Sequence, residues 1–131
     1  MTNFGPQYVA GFFDGEGSVF IVKQKRAYGP YYHLRVNIAQ TGSDSKLLGW
    51  LEDEFGGSLG YYSKKKQNGQ DCWYWTATGK VAIKFLTWIK DYTYYKTEQI
   101  EFALEFEKFR RDWSDSRLES GRQHLKDLKF A

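Results

Sequence analysis

Nine residues constrain this chain more than any others: Val9-Ala10-Gly11-Phe12-Phe13-Asp14-Gly15-Glu16-Gly17. A run of apolar and small residues ends in two acids, each followed by glycine. Pro6, just ahead, suits a first helical turn, where an amide hydrogen has no intrahelical partner. The spacing predicts a short helix that the glycines terminate, followed at once by a strand beginning at Ser18. Asp14 and Glu16 then fall at a helix C-terminus, where the macrodipole disfavours negative charge, and they repel each other. A cation held at this end would relieve both costs, and hard divalent ions take such oxygen donors. Two plainer readings stand beside that one: a capped helix end with two solvated acids, or a Glu16 paired with a lysine. Ala10 and Gly11 are small enough to let a second helix approach closely.

The total of 131 residues predicts one domain over 1–131, with its core in about 5–112 and a short terminal helix over about 114–131. Ten Phe, ten Tyr and five Trp supply a large apolar surface and exclude a disordered chain. No apolar run reaches membrane-spanning length, so no membrane partner is expected. Cys72 is the single cysteine, which rules out an intrachain disulfide or a cysteine metal cage and fits a reducing compartment. His33 and His124 lack zinc-ligand spacing. The net charge of +3 is unevenly spread. Residues 17–40 carry Lys23, Lys25, Arg26 and Arg35 with no acid, and the tract 58–76 carries Lys64, Lys65 and Lys66 against Asp71. Acids concentrate instead in 44–55. Positive charge on the strand-like segments is the footprint of a sheet that faces a polyanion.

Taken in order, Ser18 to Arg26 reads as a strand, Gly29-Pro30 as a turn, and Tyr31 to Gln40 as the returning strand. In the latter, Leu34, Val36 and Ile38 alternate with His33, Arg35 and Asn37, so one face is buried and the other open. The first strand is ambiguous: Val19 and Ile21 share a face with Lys23 and Lys25, whereas Phe20 and Val22 share one with Gln24 and Arg26. Ser43 is expected to cap a second helix through Leu47, Leu48, Leu51 and Phe55, which Gly56-Gly57 stops. A second hairpin spans Leu59 to Lys66 and Gln70 to Thr76 around Asn68-Gly69, with Trp73 and Trp75 on one buried face. Thr78 is expected to cap a helix over about 80–90, and another follows over about 97–112. The fold class is therefore α+β: helices on one face of a four-stranded antiparallel sheet whose other face stays open.

The nine-residue stretch resembles the signature of the LAGLIDADG homing endonucleases, and the αββαββα order matches that family's plan over about residues 5–110. Val9 stands for the first leucine, Phe12-Phe13 for the Leu-Ile pair, Gly15 for the second alanine and Glu16 for the last aspartate. One copy of the motif is present, and the resemblance implies a homodimer in which Val9, Ala10, Gly11, Phe13 and Asp14 contribute to the helix–helix interface. It implies that Glu16, helped by the carbonyl of Gly15, holds Mg²⁺ (or Mn²⁺) at the scissile phosphate. Gln40 would position solvent, and Lys96 would reach the solvent network beside that phosphate. The open sheet face would bind double-stranded DNA through Gln24, Arg26, His33, Arg35 and Asn37 in the first hairpin and Lys64, Lys66, Gln70 and Tyr74 in the second. Arginine suits guanine and Asn or Gln suits adenine in the major groove, while strand-tip lysines suit phosphates.

The activity implied is hydrolysis of both strands at a long, near-palindromic target, leaving 3′ overhangs, in the service of intron homing. A non-cleaving nucleic-acid binder of the same fold, either an RNA maturase or a DNA-binding regulator, is the alternative, and a structural dimerisation module is a third reading. The uncompensated basic hairpins count against the last.

Overall fold

The computed structural model describes residues 3–41, 45–62 and 71–129. Helix α1 (Pro6–Glu16) runs directly into strand β1 (Gly17–Arg26), which turns back as β2 (Gly29–Thr41). Helix α2 (Lys46–Phe55), strands β3 (Ser58–Tyr62) and β4 (Cys72–Thr78), and helix α3 (Gly79–Ile89) repeat the pattern. Helices α4 (Thr97–Phe109) and α5 (Asp115–Leu128) complete the described chain. The sheet is antiparallel with the order β1-β2-β4-β3. The α+β class and the αββαββα plan hold.

Alternation sorts the strands. Val19 and Ile21 on β1, Leu34, Val36 and Ile38 on β2, and Trp75 and Ala77 on β4 are buried, and they meet the apolar faces of the helices. The odd-numbered positions of β1 are thus the core side, and Phe20, Val22, Gln24 and Arg26 lie on the open side. Direct cross-strand partners share a face, so Val22 opposite His33, Phe20 opposite Arg35 and Ser18 opposite Asn37 place both strands' polar positions together. Ridges of aromatic rings fix the helices: Phe85 of α3 meets Phe13, Phe55 and Trp75 with centroids 5.6, 5.6 and 4.9 Å away.

Several local expectations are corrected. Gly15 does not break α1: the helix runs on to Glu16 and ends at Gly17, which is extended rather than left-handed (φ −89°). Gly17 is required for space, because a Cβ there would lie 2.2 Å from the buried Phe13 ring. Gly56 and Gly57, by contrast, do use positive φ (94° and 85°) to turn α2 into β3. Thr78 precedes α3 without a side-chain capping bond, and the helix starts at Gly79. Trp73, expected to be buried, is half-buried near the end of the sheet and packs on Tyr61 at 4.7 Å. The tail is a regular 14-residue helix, capped by Ser114, whose Oγ accepts from the Arg117 amide at 3.2 Å. Ser43 and the tip of the second hairpin, with Lys64, Lys66 and Gln70, lie outside the described residues.

Candidate active site and nucleic-acid interface

The C-terminal end of α1 is where the site-forming residues meet. Glu16 is the last helical residue, is exposed, and makes no hydrogen bond or ion pair among the described residues. Among the described residues no lysine forms an ion pair with it, although its charge acts on Lys96. Its side of the helix opens on a hollow of about 180 Å³ lined by Phe12, Glu16, Ala39, Gln40 and Thr41. The hollow brings Gln40, near the end of β2, beside Glu16. The Gln40 Oε1 is buried with no partner among the described residues, so this acceptor can take a hydrogen from a molecule in the hollow.

Asp14 has a different task. Its Oδ2 accepts from the Tyr94 amide at 2.7 Å and its Oδ1 from the Lys96 amide at 3.1 Å. The carboxylate therefore ties the segment before α4 to the end of α1 across some 80 residues of chain. In return, Lys96 Nζ donates to the Asp14 carbonyl. This removes one of the orphan acceptors at the helix end and places a cation where the macrodipole favours it. Burial lowers the Lys96 pKa below its ordinary value, with the Asp14 and Glu16 charges opposing that shift and Lys129 adding to it. Glu16, Gln40 and Lys96 are thus brought to one end of α1.

Among the described residues there is no cluster of three or more His, Cys, Asp or Glu side chains. A hard divalent ion is nonetheless compatible with Glu16, whose carboxylate has no partner among the described residues, because Mg²⁺ characteristically takes one or two carboxylates and fills its shell with water and substrate phosphate.

Of the five residues expected at a helix–helix interface, Gly11 alone is exposed. Val9, Ala10 and Phe13 are fully buried in the chain's own core, and Asp14 is engaged by the Tyr94–Lys96 segment. An 11-residue helix has one face for its own sheet, and these apolar positions take it. The outward face carries Gly11 and Gly15, one turn apart and with nothing within 4 Å of an added Cβ, flanked by exposed Tyr8 and half-buried Phe12.

On the open face of the sheet, Gln24, Arg26 and Tyr74 are exposed and His33, Arg35 and Asn37 are half-buried. Asn37 Oδ1 accepts from Thr76 Oγ1 at 2.9 Å, which directs its amide NH₂ away from that bond. Tyr74 lies across Gly60, where a Cβ would fall 2.1 Å from its ring. The guanidinium of Arg35 stands 6.0 Å from the Phe20 ring and its Nε has no partner among the described residues. Burial, reinforced by the Arg35 charge, lowers the His33 pKa, while the Glu107 charge opposes that shift. Sequence reading missed Tyr31, Glu107 and Arg110, which join this face at the far end of the first hairpin. Tyr31 was legible from its alternation with His33, but nothing local marks Glu107 or Arg110.

Comparison with solved structures shows a common fold. The homing endonuclease I-CvuI, in complex with its target in the presence of calcium, matches at TM-score 0.77 and 15% identity, over 94% of this chain and 80% of that one. The homing endonuclease I-TnaI matches at TM-score 0.68 and 18% identity, over 97% of this chain and 86% of that one. The meganuclease I-SmaMI, bound to an uncleavable DNA, matches at TM-score 0.66 and 21% identity, over 95% of this chain but 43% of that one. No curated protein matches the chain. The profile of the LAGLIDADG endonuclease family matches residues 9–109, most of the 131. With the motif, the strand order and this match in agreement, the chain belongs to the LAGLIDADG endonuclease family.

Proposed function

We propose that the chain is a site-specific double-strand DNA endonuclease that works as a homodimer and leaves 3′ overhangs. The observation that carries this is the exposed Glu16, without an ion pair among the described residues, beside Gln40 and Lys96 at the edge of a sheet face lined with Arg, Asn and Gln. Its substrate is a long, near-palindromic duplex. The dimer seam is the outward face of α1, where Gly11 and Gly15 permit close helix packing. The chain aligns with most of I-CvuI and I-TnaI and with less than half of I-SmaMI.

In this reading each protomer would bring one Glu16 to the middle of the duplex, where its carboxylate and the Gly15 carbonyl would hold Mg²⁺ or Mn²⁺. The ion, when bound, lowers the pKa of water and offsets charge on the leaving oxygen. Gln40 orients the attacking water through its free amide oxygen. Lys96, fixed by Asp14, places positive charge beside the phosphate and the departing 3′ oxygen. The open face grips the flanking sequence, with phosphate contacts setting register and base contacts setting specificity.

The test is incubation with a random duplex pool in Mg²⁺ or in EDTA, followed by sequencing of the ends. Cleavage at one near-palindromic consensus with 3′ overhangs, in Mg²⁺ alone, is expected. A consensus that is bound but uncut in Mg²⁺ would identify a DNA-binding regulator, and capture of structured RNA without any duplex would identify a maturase.

A second prediction concerns Lys96. As pH rises through its lowered pKa the ammonium loses its proton and its charge, so the rate should fall on the alkaline side. Asp14→Asn removes the charge that opposes this lowering. The alkaline limb of the pH–rate profile is therefore expected at lower pH than in the wild type. The variant should also lose about 1–3 kcal/mol of stability through its weakened bonds to the Tyr94 and Lys96 amides. A profile that superimposes on the wild type would remove Lys96 from the reaction.

A further inference from the structure

The first hairpin outruns the sheet. β2 pairs with β4 only from Arg35 onward, so its first residues have no strand on that side among the described residues. Helix α4 supplies the missing partner: Glu107 Oε1 accepts from the Leu34 amide at 3.0 Å. The other oxygen of the same carboxylate accepts from Arg110 Nε at 3.1 Å, and Arg110 Nη2 donates to the Tyr31 hydroxyl at 3.3 Å. The ring of Tyr31 then carries a second guanidinium, that of Arg26, 3.8 Å from its centroid. His33 packs beside the ring at 5.4 Å. Together these groups line a recess of about 280 Å³ on the open face.

We infer that Glu107 and Arg110 are specificity-determining positioning residues: they hold Tyr31, on which Arg26 is stacked, so that Arg26 presents its free edge to a guanine in the major groove. The inference rests on the DNA-binding part of the function proposed above and deepens it.

Two physical points support it. The Glu107 and Arg110 side chains are only 6% and 17% exposed, so this ion pair is largely desolvated. Such pairs add little net stability over an apolar pair of similar volume, and their best-attested use is to fix one arrangement. Arg26, for its part, makes no hydrogen bond or ion pair among the described residues. Stacking orders the guanidinium plane while leaving its in-plane donors unused, and those donors match the O6 and N7 of guanine. An exposed arginine ordered before binding loses less freedom on contact, which sharpens discrimination.

The test is selection from a random duplex pool by binding in EDTA, so that it does not depend on cleavage. The proteins compared are the wild type, Arg26→Ala, Arg110→Met, Glu107→Gln, Tyr31→Phe and the Arg26→Ala/Arg110→Met double variant. The wild type is expected to prefer guanine at one base pair in each half-site by roughly 5- to 150-fold, the range of a bidentate contact. Arg26→Ala should abolish that preference. Arg110→Met, Glu107→Gln and Tyr31→Phe should each weaken it at that pair alone, and the double variant should behave like Arg26→Ala, because the residues act in series. Tyr31→Phe keeps the ring and tests the linkage even if either ion-pair variant fails to fold.

Folded variants whose preference at that pair is unchanged would overturn the inference while leaving the proposed function intact. A salt dependence reduced by about one phosphate contact in Arg110→Met would also overturn it, since Arg110 would then grip the backbone directly. A wild-type protein without any sequence-selective duplex binding would remove the proposed function together with the inference.

Discussion

A Glu16→Gln protein is expected to bind its duplex target and fail to cut it. Glutamine has nearly the shape of glutamate but no charge, so it is a poor ligand for a hard divalent ion. The ion's share in stabilising a phosphodiester transition state is several kcal/mol, and loss of about 4 kcal/mol lowers the rate by roughly 10³-fold. Folding should scarcely change. Glu16 is exposed, has no hydrogen bond or ion pair among the described residues, and sits at a helix end where its charge is unfavourable. A stability change within about 0.5 kcal/mol is therefore expected. Single-turnover cleavage in Mg²⁺, set beside a binding isotherm for the same duplex, separates the two effects. Cleavage within tenfold of wild type would take the metal away from this carboxylate and leave the nuclease reading without its centre.

The largest effect on stability is expected at Trp75. The side chain is completely buried on β4, meets Phe85 edge-on at 4.9 Å, and donates its indole N–H to the Gly56 carbonyl at 2.9 Å. One residue thus locks the central sheet to α3 and to the turn that ends α2. Trp75→Ala opens a large cavity and orphans the Gly56 carbonyl, and about 3–5 kcal/mol should be lost. Trp75→Phe keeps much of the ring volume and loses the hydrogen bond, so a smaller decrease is expected. Urea unfolding at a fixed protein concentration measures both, because a dimer's apparent stability depends on concentration. A loss below about 1 kcal/mol for the alanine variant would mean that the site collapses around the void.

The two hairpins and their helices were legible because period-two and helical spacing follow directly from backbone geometry. Leu34, Val36 and Ile38 announced their face without ambiguity. β1 did not, since its apolar residues occupy both faces; burial of Val19 and Ile21 under the helices decided it. The motif helix was read correctly as a helix, but three of the residues assigned to its outward contact, Val9, Ala10 and Phe13, turn inward. Val9, Ala10 and Phe13 are apolar for the chain's own core, and a sequence does not say which of two apolar partners a residue meets.

The same division runs through the candidate site. Linear order alone determined that an acid-bearing helix leads into a basic, alternating hairpin, because a helix end, a strand period and a turn are each encoded within a few neighbouring residues. Tertiary structure alone decided that Asp14 grips the Tyr94–Lys96 segment, that Gln40 shares a hollow with Glu16, and that Glu107 and Arg110 reach Tyr31. Those contacts join segments up to about 80 residues apart. They exist only once the sheet and its helices have packed, so no local pattern of residue types can carry them.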